Sequence, residues 1–261
     1  YFVDMKVRVS NYIDRMFAKY APATFLSLFI DDCIARGRDY YNCGPRYNTT
    51  YIQCTGLGTI TDSLATLKKH IFDYVIAADS GLVHCDRLNI NVDFLLGDYD
   101  SVDKDVFEKY SKNTTTKTYP PEKDYTDTHL ALIKAIEKRP DSISIIGATG
   151  TRYDHALTNI GILKCAVDED IQCAIYDANN KIYLADKDFS IEKNRQYGDY
   201  LSFVPYTEQV CLTLSGVKYP LKRYSLKQGL SICQSNEIMD ETAHIGVEDG
   251  IVIVFETRDN P

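Results

Sequence analysis

The stretch YVIAADSGLVHCDRLNINVDFLLGDYDS, residues 74–101, contains the pattern that decides the fold. A short apolar run is followed by a segment with helical spacing, and a second apolar run follows that segment. Strand, helix and strand in this order form the repeating unit of a parallel sheet covered by helices. The first apolar run ends at Asp79, and the second ends at Asp98 and Asp100. The stretch therefore predicts an α/β fold with carboxylates at the ends of its strands.

The pattern of apolar residues divides the sequence into three regions. Residues 49–180 continue the alternation of short apolar runs and helical segments, which predicts an N-terminal layered α/β domain with a largely parallel sheet. Residues 181–261 contain short β-rich runs such as YLSFVPY and GIVIVFE between turn residues, which predicts a C-terminal all-β sandwich domain. Residues 1–48 have helical spacing and are interpreted as an N-terminal helical extension, whose role as a dimer-stabilising arm or a lid stays open.

The composition is that of an acidic globular protein. The chain of 261 residues has a formal net charge of −8 and no basic block, so nucleic acid is not an expected partner. Its apolar stretches are shorter than the ~18 residues of a membrane-spanning helix, and its first residues lack the apolar centre of a signal peptide, so no membrane association is expected. The eight cysteines form no CxxC pair and several lie in apolar runs, which indicates a reducing, cytoplasmic location.

Acidic clusters follow four successive strand candidates. Because ligands of parallel sheets bind beyond the carboxyl ends of the strands, these carboxylates are expected to meet at one edge. Carboxylates that lie close together repel one another unless a cation or protons neutralise them, and Mg²⁺ prefers such oxygen ligands. This arrangement indicates phosphoryl or pyrophosphoryl transfer. The acidic residues are Asp79, Asp98, Asp100, Asp124, Asp127 and Asp154.

Each cluster also has a purely structural interpretation. Asp79 fits a turn from a strand into a helix, and Asp124 with Asp127 resembles a pair that caps the following helix. Asp154 equally fits an N-cap. Only the joint placement of the clusters after successive strands favours a common site. Two further acids are interpreted as the first turn of the next helix, namely Asp103 and Asp105.

The stretch GATGTRYDH, residues 147–155, is a second candidate for ligand binding. Gly147 and Gly150 permit a close approach of the backbone to a phosphate, and the loop leads into a helix N-terminus. Arg152 offers a planar fork to phosphate oxygens, and His155 is a possible donor. The stretch matches neither a Walker loop nor a GxGxxG fingerprint, and a glycine-rich turn with an exposed arginine is the alternative interpretation.

Four motifs in this order and spacing resemble the thiamine pyrophosphokinase family: AADSG, FLLGDYDS, KDYTDTHLAL and GATGTRYDHALTNI. The usual family forms are A-D-G/S-G, G-D-F-D-S, D-x-T-D and G-G-R-x-D-H. IYDANNKIYL, LSGVKYPL and CQSNEI also look like later segments of the family, so the resemblance covers roughly residues 50 to 256. It implies an α/β domain that binds ATP and catalyses the reaction, and a β-sandwich domain that binds thiamine. It further implies Mg²⁺, the conversion of ATP and thiamine to thiamine diphosphate and AMP, and a homodimer with active sites at the subunit interface.

The resemblance also implies roles for individual residues. The implied metal ligands are Asp98, Asp100 and Asp127, and the implied catalytic residues are these three with Arg152 and Asp154. The implied ATP-binding residues are Asp79, Ser80, Asp124, Asp127, Thr149, Gly150, Arg152 and His155. The implied thiamine-binding residues are Tyr219, Ser235, Asn236 and Asp154.

The sequence departs from the family pattern at three positions. Tyr99 replaces the usual Phe, Thr151 stands where a glycine is common, and Tyr219 stands where many eukaryotic members have a tryptophan that stacks on thiamine. Tyr219 keeps an aromatic face but a smaller one. Two other functions remain as alternatives: a metal-dependent nucleotide-sugar glycosyltransferase, which also uses a DxD at a strand end, and a non-catalytic nucleotide-binding sensor.

Overall fold

The computed structural model describes residues 72–97, 99, 102–112, 114–118, 124–150 and 152–259. By its internal contacts the chain divides into two units, Tyr1–Thr55 and Gly56–Pro261, and all of the described residues belong to the second unit. Several predictions fall outside the described residues. They are the N-terminal extension over residues 1–48, the strand and helix expected between residues 50 and 71, the metal ligands Asp98 and Asp100, and Thr151.

The first described elements form a small parallel sheet with a helix after each of its first two strands. The strand order is β1-β2-β3, as expected for consecutive strand–helix units. Leu82 of the first helix and Leu95 of the second strand are fully buried in the core between them. The elements are β1 (Ile76–Ala78), α1 (Gly81–Leu88), β2 (Phe94–Gly97), α2 (Lys104–Ser111) and β3 (Thr115–Thr118).

A second parallel pair follows in the chain and belongs to a different sheet. Its two strands, β4 and β5, pair in parallel, and helices connect them. Helix α3 packs against β1 and β2 and also contacts α4 and α5, so it joins the small sheet to the second helical layer. The elements are α3 (Asp127–Ile136), β4 (Ser142–Ile146), α4 (Tyr153–Ile162), α5 (Lys164–Val167) and β5 (Gln172–Tyr176).

The remaining strands pair in antiparallel fashion. One sheet has the order β4-β5-β6-β12-β8, and the other has the order β10-β9-β11-β7. A short 3₁₀ turn, Lys193–Arg195, is the one helical element described after β5. The strands are β6 (Asn180–Ala185), β7 (Phe189–Glu192), β8 (Tyr200–Pro205), β9 (Gln209–Ser215), β10 (Leu221–Lys227), β11 (Thr242–Glu248) and β12 (Val252–Thr257).

The five-stranded sheet has a hydrophobic core on each face. Along β12, Ile253 and Phe255 belong to the core shared with the helices, whereas Val252 and Val254 belong to the core shared with the four-stranded sheet. Side chains of a strand point alternately to opposite faces, so one strand can serve both cores. From α3 onward, the described part of the chain is therefore layered as helices, a mixed sheet and a second sheet. This arrangement confirms the predicted combination of an α/β part with a following β part.

The predicted division at residue 180 lies within a sheet. β6 begins at Asn180 and pairs with β5 on one side and β12 on the other. Strands from both sides of residue 180 thus share hydrogen bonds, and the division into domains over 49–180 and 181–261 stays a prediction. None of the described helices is long and apolar enough to span a membrane.

Candidate active site

The turn after β1 is held against the end of β2. The backbone N–H of Asp79 donates to the carbonyl oxygen of Leu96 at 2.8 Å, and Asp79 has a φ of +45°. Gly97 has a φ of +145°, and a Cβ at this position would lie 3.1 Å from the Cα of Asp79. A side chain there would be strained by this φ and would press on the backbone of Asp79, which explains the glycine before Asp98 in physical terms.

Tyr99 lies buried beside this turn. Its ring packs on Phe107 with 4.8 Å between ring centroids, and only 7% of the residue is exposed. Its hydroxyl has no hydrogen-bond partner among the residues that the structure describes. Burial, followed by the negative charges of Asp79 and Asp127, raises the pKa of the Tyr99 phenol above its ordinary value. Tyr99 shares a core cluster with Ala77 and Leu82, which flank the turn of Asp79, so this acidic strand end lies beside a buried tyrosine.

Asp127 reaches this place as the first residue of α3. The helix is capped by Thr126, whose Oγ1 accepts a hydrogen bond from the backbone N–H of His129 at 3.2 Å. The interpretation of Asp124 and Asp127 as the capping pair is therefore wrong, because the residue between them is the cap. Asp127 lies in the first turn, where the helix dipole stabilises a carboxylate, and Asp124 is exposed before it.

The chemistry of the residues around Tyr99 fits a hard divalent cation. Asp79 and Asp127 both act on Tyr99, and Asp98 and Asp100 are its neighbours in sequence. Carboxylate oxygens are the ligands that Mg²⁺ prefers. Within the described parts of the chain, which leave out Asp98 and Asp100, no group of three or more potential ligands is arranged to hold a metal.

Asp103 and Asp105 have the roles expected of a helix start. Oδ1 of Asp103 accepts from the backbone N–H of Asp105 at 2.9 Å, so Asp103 is the N-cap of α2, and Asp105 lies in its first turn. Both acids are exposed. The prediction that Asp103 and Asp105 belong to the start of the next helix is confirmed.

Arg152 and Asp154 form a forked ion pair at the start of α4. Nε of Arg152 donates to Oδ1 of Asp154 at 3.2 Å, and Nη2 donates to Oδ2 at 2.6 Å. This guanidinium is the main reason that the pKa of Asp154 falls to about 2. Asp154 is not the N-cap, since Arg152 occupies that position without a capping side-chain bond. Both side chains are exposed, as is the neighbouring His155.

Thr149 and a carboxylate that the sequence analysis missed hold the glycine-containing loop between β4 and α4. The hydroxyl of Thr149 donates to Oδ2 of Asp177 at 2.6 Å. Asp177 is buried directly after β5, so it is a further acidic strand end. The segment IYDANN contained the signal, because an Asp can accept hydrogen bonds from the backbone N–H groups two and three residues later and so form a local turn, and Asn residues favour such turns.

Three of the four predicted thiamine residues lie together in the β part, whereas Asp154 lies in the first turn of α4. Asn236 is only 2% exposed; its Oδ1 accepts from the backbone N–H of Tyr219 at 3.0 Å, and its Nδ2 donates to the carbonyl of Tyr219 at 2.9 Å. The Tyr219 side chain is 60% exposed, and Nζ of Lys218 lies 5.7 Å from its ring centroid. The backbone N–H of Ser235 donates to Oγ of Ser202 at 2.9 Å. Asn236 thus fixes the backbone that presents the ring of Tyr219.

Two regions of the sequence match models of one enzyme family. Residues 67–175 match the thiamin pyrophosphokinase catalytic domain, and residues 188–252 match the thiamin pyrophosphokinase vitamin B1 binding domain. The chain is 37% identical over 166 residues to thiamine pyrophosphokinase of Bacillus subtilis, which covers 62% of this chain and 77% of that protein. The chain belongs to the thiamine pyrophosphokinase family. The resemblance drawn from the four motifs is confirmed.

Solved structures of the family have the same fold. The crystal structure of the Bacillus subtilis thiamine pyrophosphokinase superposes with a TM-score of 0.69 at 33% identity, covering 74% of this chain and 92% of that one. The enzyme from Geobacillus thermodenitrificans superposes with a TM-score of 0.66 at 26% identity, covering 76% and 92%. The superposition with this chain therefore covers nearly the whole length of both bacterial relatives.

The N-terminal part of the chain is similar to a different family. Residues 1–89 match a family model described as pyruvate formate lyase-like, which overlaps the catalytic-domain match between residues 67 and 89. The chain is 47% identical over 73 residues to trans-4-hydroxy-L-proline dehydratase of Clostridioides difficile, which is 28% of this chain but 9% of that protein. A match to less than a tenth of the dehydratase does not indicate the activity of that enzyme. The extension predicted over residues 1–48 falls in this region.

Proposed function

We propose that this chain transfers the pyrophosphoryl group of ATP to the hydroxyl of thiamine, giving thiamine diphosphate and AMP. The observation that carries the proposal is the turn of Asp79, which is hydrogen-bonded to the end of β2 and lies beside the buried Tyr99, in a chain of the thiamine pyrophosphokinase family. Acids that meet beyond strand ends match a reaction in which positioning and charge neutralisation supply most of the acceleration.

Asp98, Asp100 and Asp127 are the residues that would hold Mg²⁺. The ion would neutralise charge on the ATP phosphates. Without the ion, these three carboxylates would repel the phosphates. Asp124 shortly precedes Asp127 in the sequence, and Asp79 with Ser80 forms the turn after β1. These three complete the acid side of the proposed nucleotide site.

Thr149, Gly150, Arg152 and His155 form the phosphate side of the proposed site. Arg152 binds phosphate oxygens through its guanidinium, and Asp154 positions that guanidinium through the forked ion pair. The exposed position of both side chains leaves them accessible to a ligand. Asp154 also contacts thiamine in this proposal, so it connects the two substrates.

Thiamine stacks on the exposed ring of Tyr219. Asn236 and Ser235 support this assignment, because Asn236 fixes the backbone of Tyr219 and Ser235 directly precedes Asn236. Ser235 has a φ of +51°, a conformation that is uncommon for a residue other than glycine and that points to a shaped loop. The aromatic face and the polar loop fit a flat cationic ligand.

We further propose a cytoplasmic homodimer with its active sites at the subunit interface. Apolar side chains on the surface of the β part support pairing, since exposed apolar patches mark interaction surfaces. The described cysteines are all free, which fits a reducing compartment. The exposed apolar side chains are Tyr219, Leu230, Ile232 and Met239.

A coupled assay tests the function. The purified chain is incubated with ATP, Mg²⁺ and thiamine, and the products are separated by chromatography. Equal amounts of thiamine diphosphate and AMP are expected, with neither product when thiamine is omitted. Formation of ADP contradicts pyrophosphoryl transfer, and binding of ATP without thiamine-dependent AMP indicates the nucleotide sensor instead.

A further inference from the structure

The carboxylate of Asp177 accepts hydrogen bonds on both of its oxygens. Oδ1 accepts from the backbone N–H groups of Asn179 and Asn180 at 2.9 and 2.8 Å, and from Nδ2 of Asn180 at 2.9 Å. Oδ2 accepts from Oγ1 of Thr149 at 2.6 Å and from Nδ2 of Asn180 at 3.0 Å. The residue is 8% exposed. These donors compensate for the removal of the carboxylate from water.

The register of two parallel strands places Asp177 beside the loop. Ile146, the last residue of β4, pairs with Tyr176, the last residue of β5. The residues that follow, Gly147 and Asp177, therefore leave the sheet at the same edge. Thr149 lies 28 residues from Asp177 in sequence, so their hydrogen bond is a tertiary contact between two strand ends.

The loop is held from a second side by α4. Nδ2 of Asn159, which is buried, donates to the carbonyl of Ala148 at 2.9 Å. Consecutive residues of the loop are thus attached to different elements, Ala148 to α4 and Thr149 to the turn after β5. A loop fixed in this way has little conformational freedom left to lose when it receives a ligand.

We propose that Asp177 is a positioning residue for ATP, which acts through Thr149 to hold the Gly147–Gly150 loop in the conformation that receives phosphate. The proposal deepens the proposed function and rests on it. Asp177 makes no contact with phosphate itself. Its charge is taken up by protein donors, and among the described residues only the hydroxyl of Thr149 connects it to the loop.

Four variants test this role through steady-state kinetics. Asp177→Asn places an amide where the carboxylate accepts five hydrogen bonds, and Thr149→Val removes the donating hydroxyl. We expect each to raise the KM for ATP about tenfold, by more than it changes kcat or the KM for thiamine. The double variant is expected to match the single ones, because both break the same contact. Thr149→Ser retains the hydroxyl and is expected to restore the KM for ATP.

Asn180→Ala is the matched control. It removes the two hydrogen bonds that Nδ2 of Asn180 donates to the same carboxylate and leaves the bond from Thr149 in place. A lower melting temperature with an unchanged KM for ATP is expected. An equal rise in the KM for ATP in this control would mean that Asp177 acts on general stability, and the proposal would fall.

Further outcomes separate the inference from the function on which it rests. Additive effects of Asp177→Asn and Thr149→Val, or a Thr149→Val variant with an unchanged KM for ATP, overturn the positioning role. If Asp177→Asn does not fold, Thr149→Val against Thr149→Ser still decides. If the wild-type chain makes no thiamine-dependent AMP, the proposed function fails, and calorimetric titration with ATP then tests whether the same variants weaken nucleotide binding.

Discussion

Two acidic strand ends of this protein differ in how their polar atoms are satisfied. After β5, Asp177 is buried and accepts hydrogen bonds on both oxygens. After β2, Tyr99 is equally buried, but its hydroxyl has no partner among the described residues, and the charges of Asp79 and Asp127 act on it. Position at a strand end therefore does not determine whether the polar atoms there are hydrogen-bonded. Native proteins rarely leave buried polar atoms unpaired without a reason, so the hydroxyl of Tyr99 marks this end for further tests.

The largest expected effect is on catalysis, at the strand end beside the buried Tyr99. Asp127→Asn keeps the shape of the side chain but removes its charge, and we expect kcat/KM to fall by about 100-fold or more. The thiamine-dependent formation of AMP measures it. Asp141→Asn is the control, since Asp141 is exposed before β4, at the opposite end of that strand from the glycine-containing loop. Equal losses of kcat/KM in both variants would contradict the difference expected between Asp127 and Asp141.

The next effect concerns stability at the satisfied end. Asp177→Ala leaves several donors of the turn without an acceptor, and we expect the free energy of unfolding to fall by about 3 kcal/mol. Asp154→Ala, which removes an acid with exposed surroundings, is expected to change it by less than about 0.5 kcal/mol. Urea titration of both variants tests the comparison, and similar losses would contradict it.

Tyr99→Phe is expected to change the free energy of unfolding in the opposite direction. The change removes a buried hydroxyl without a described partner and retains the ring that packs on Phe107. We expect the free energy of unfolding to rise by up to about 1 kcal/mol. Folding of the variant no longer requires the burial of a hydroxyl without a hydrogen bond, which costs free energy. A clear loss of stability by urea titration would show that the hydroxyl has a partner and that the two strand ends are alike.

The smallest effect is electrostatic and belongs to the ion pair of α4. The pKa of Asp154 is lowered to about 2 by Arg152, so the pair stabilises the fold above the ordinary pKa of a carboxyl and loses this contribution as the pH falls toward 2. Carboxyl NMR is expected to show a midpoint near pH 2 that moves back toward the ordinary value in Arg152→Gln. A midpoint that high salt leaves unchanged would argue against an exposed pair.

The fold was largely predictable because local patterns decide it. The segment GLVHCDRL forms α1 over Gly81–Leu88, and QCAIY forms β5, as their spacing predicts. Two features of the β part did not show in the pattern. β10 has a register shift between Leu221 and Tyr224 and carries charged side chains on an exposed face. β11 contains a glycine within the strand, Gly246, where the side chain of Thr213 approaches closely.

The site was predictable by residue type but less so by role. An acid after a strand was recognised at Asp79, which the structure places in a turn bonded to the end of β2, and at Asp127, which begins α3. The role of Asp177 depends on the register between β4 and β5 and on a hydroxyl 28 residues away, which no local pattern contains. The cap of α3 is a comparable case, because a threonine between two acids competes with them for the same backbone N–H groups.

The central position of β12 has a consequence for folding during synthesis. A chain is made from its N-terminus, and its parts begin to fold as they emerge from the ribosome. β6 and β8 emerge early, but each pairs with β12, which comes after β11 in the chain. Until β12 has emerged, both strands expose an unpaired edge, and such edges template pairing with other chains. The helical layer therefore has to form over an incomplete sheet, and a nascent chain stalled before β12 is expected to be a substrate for chaperones.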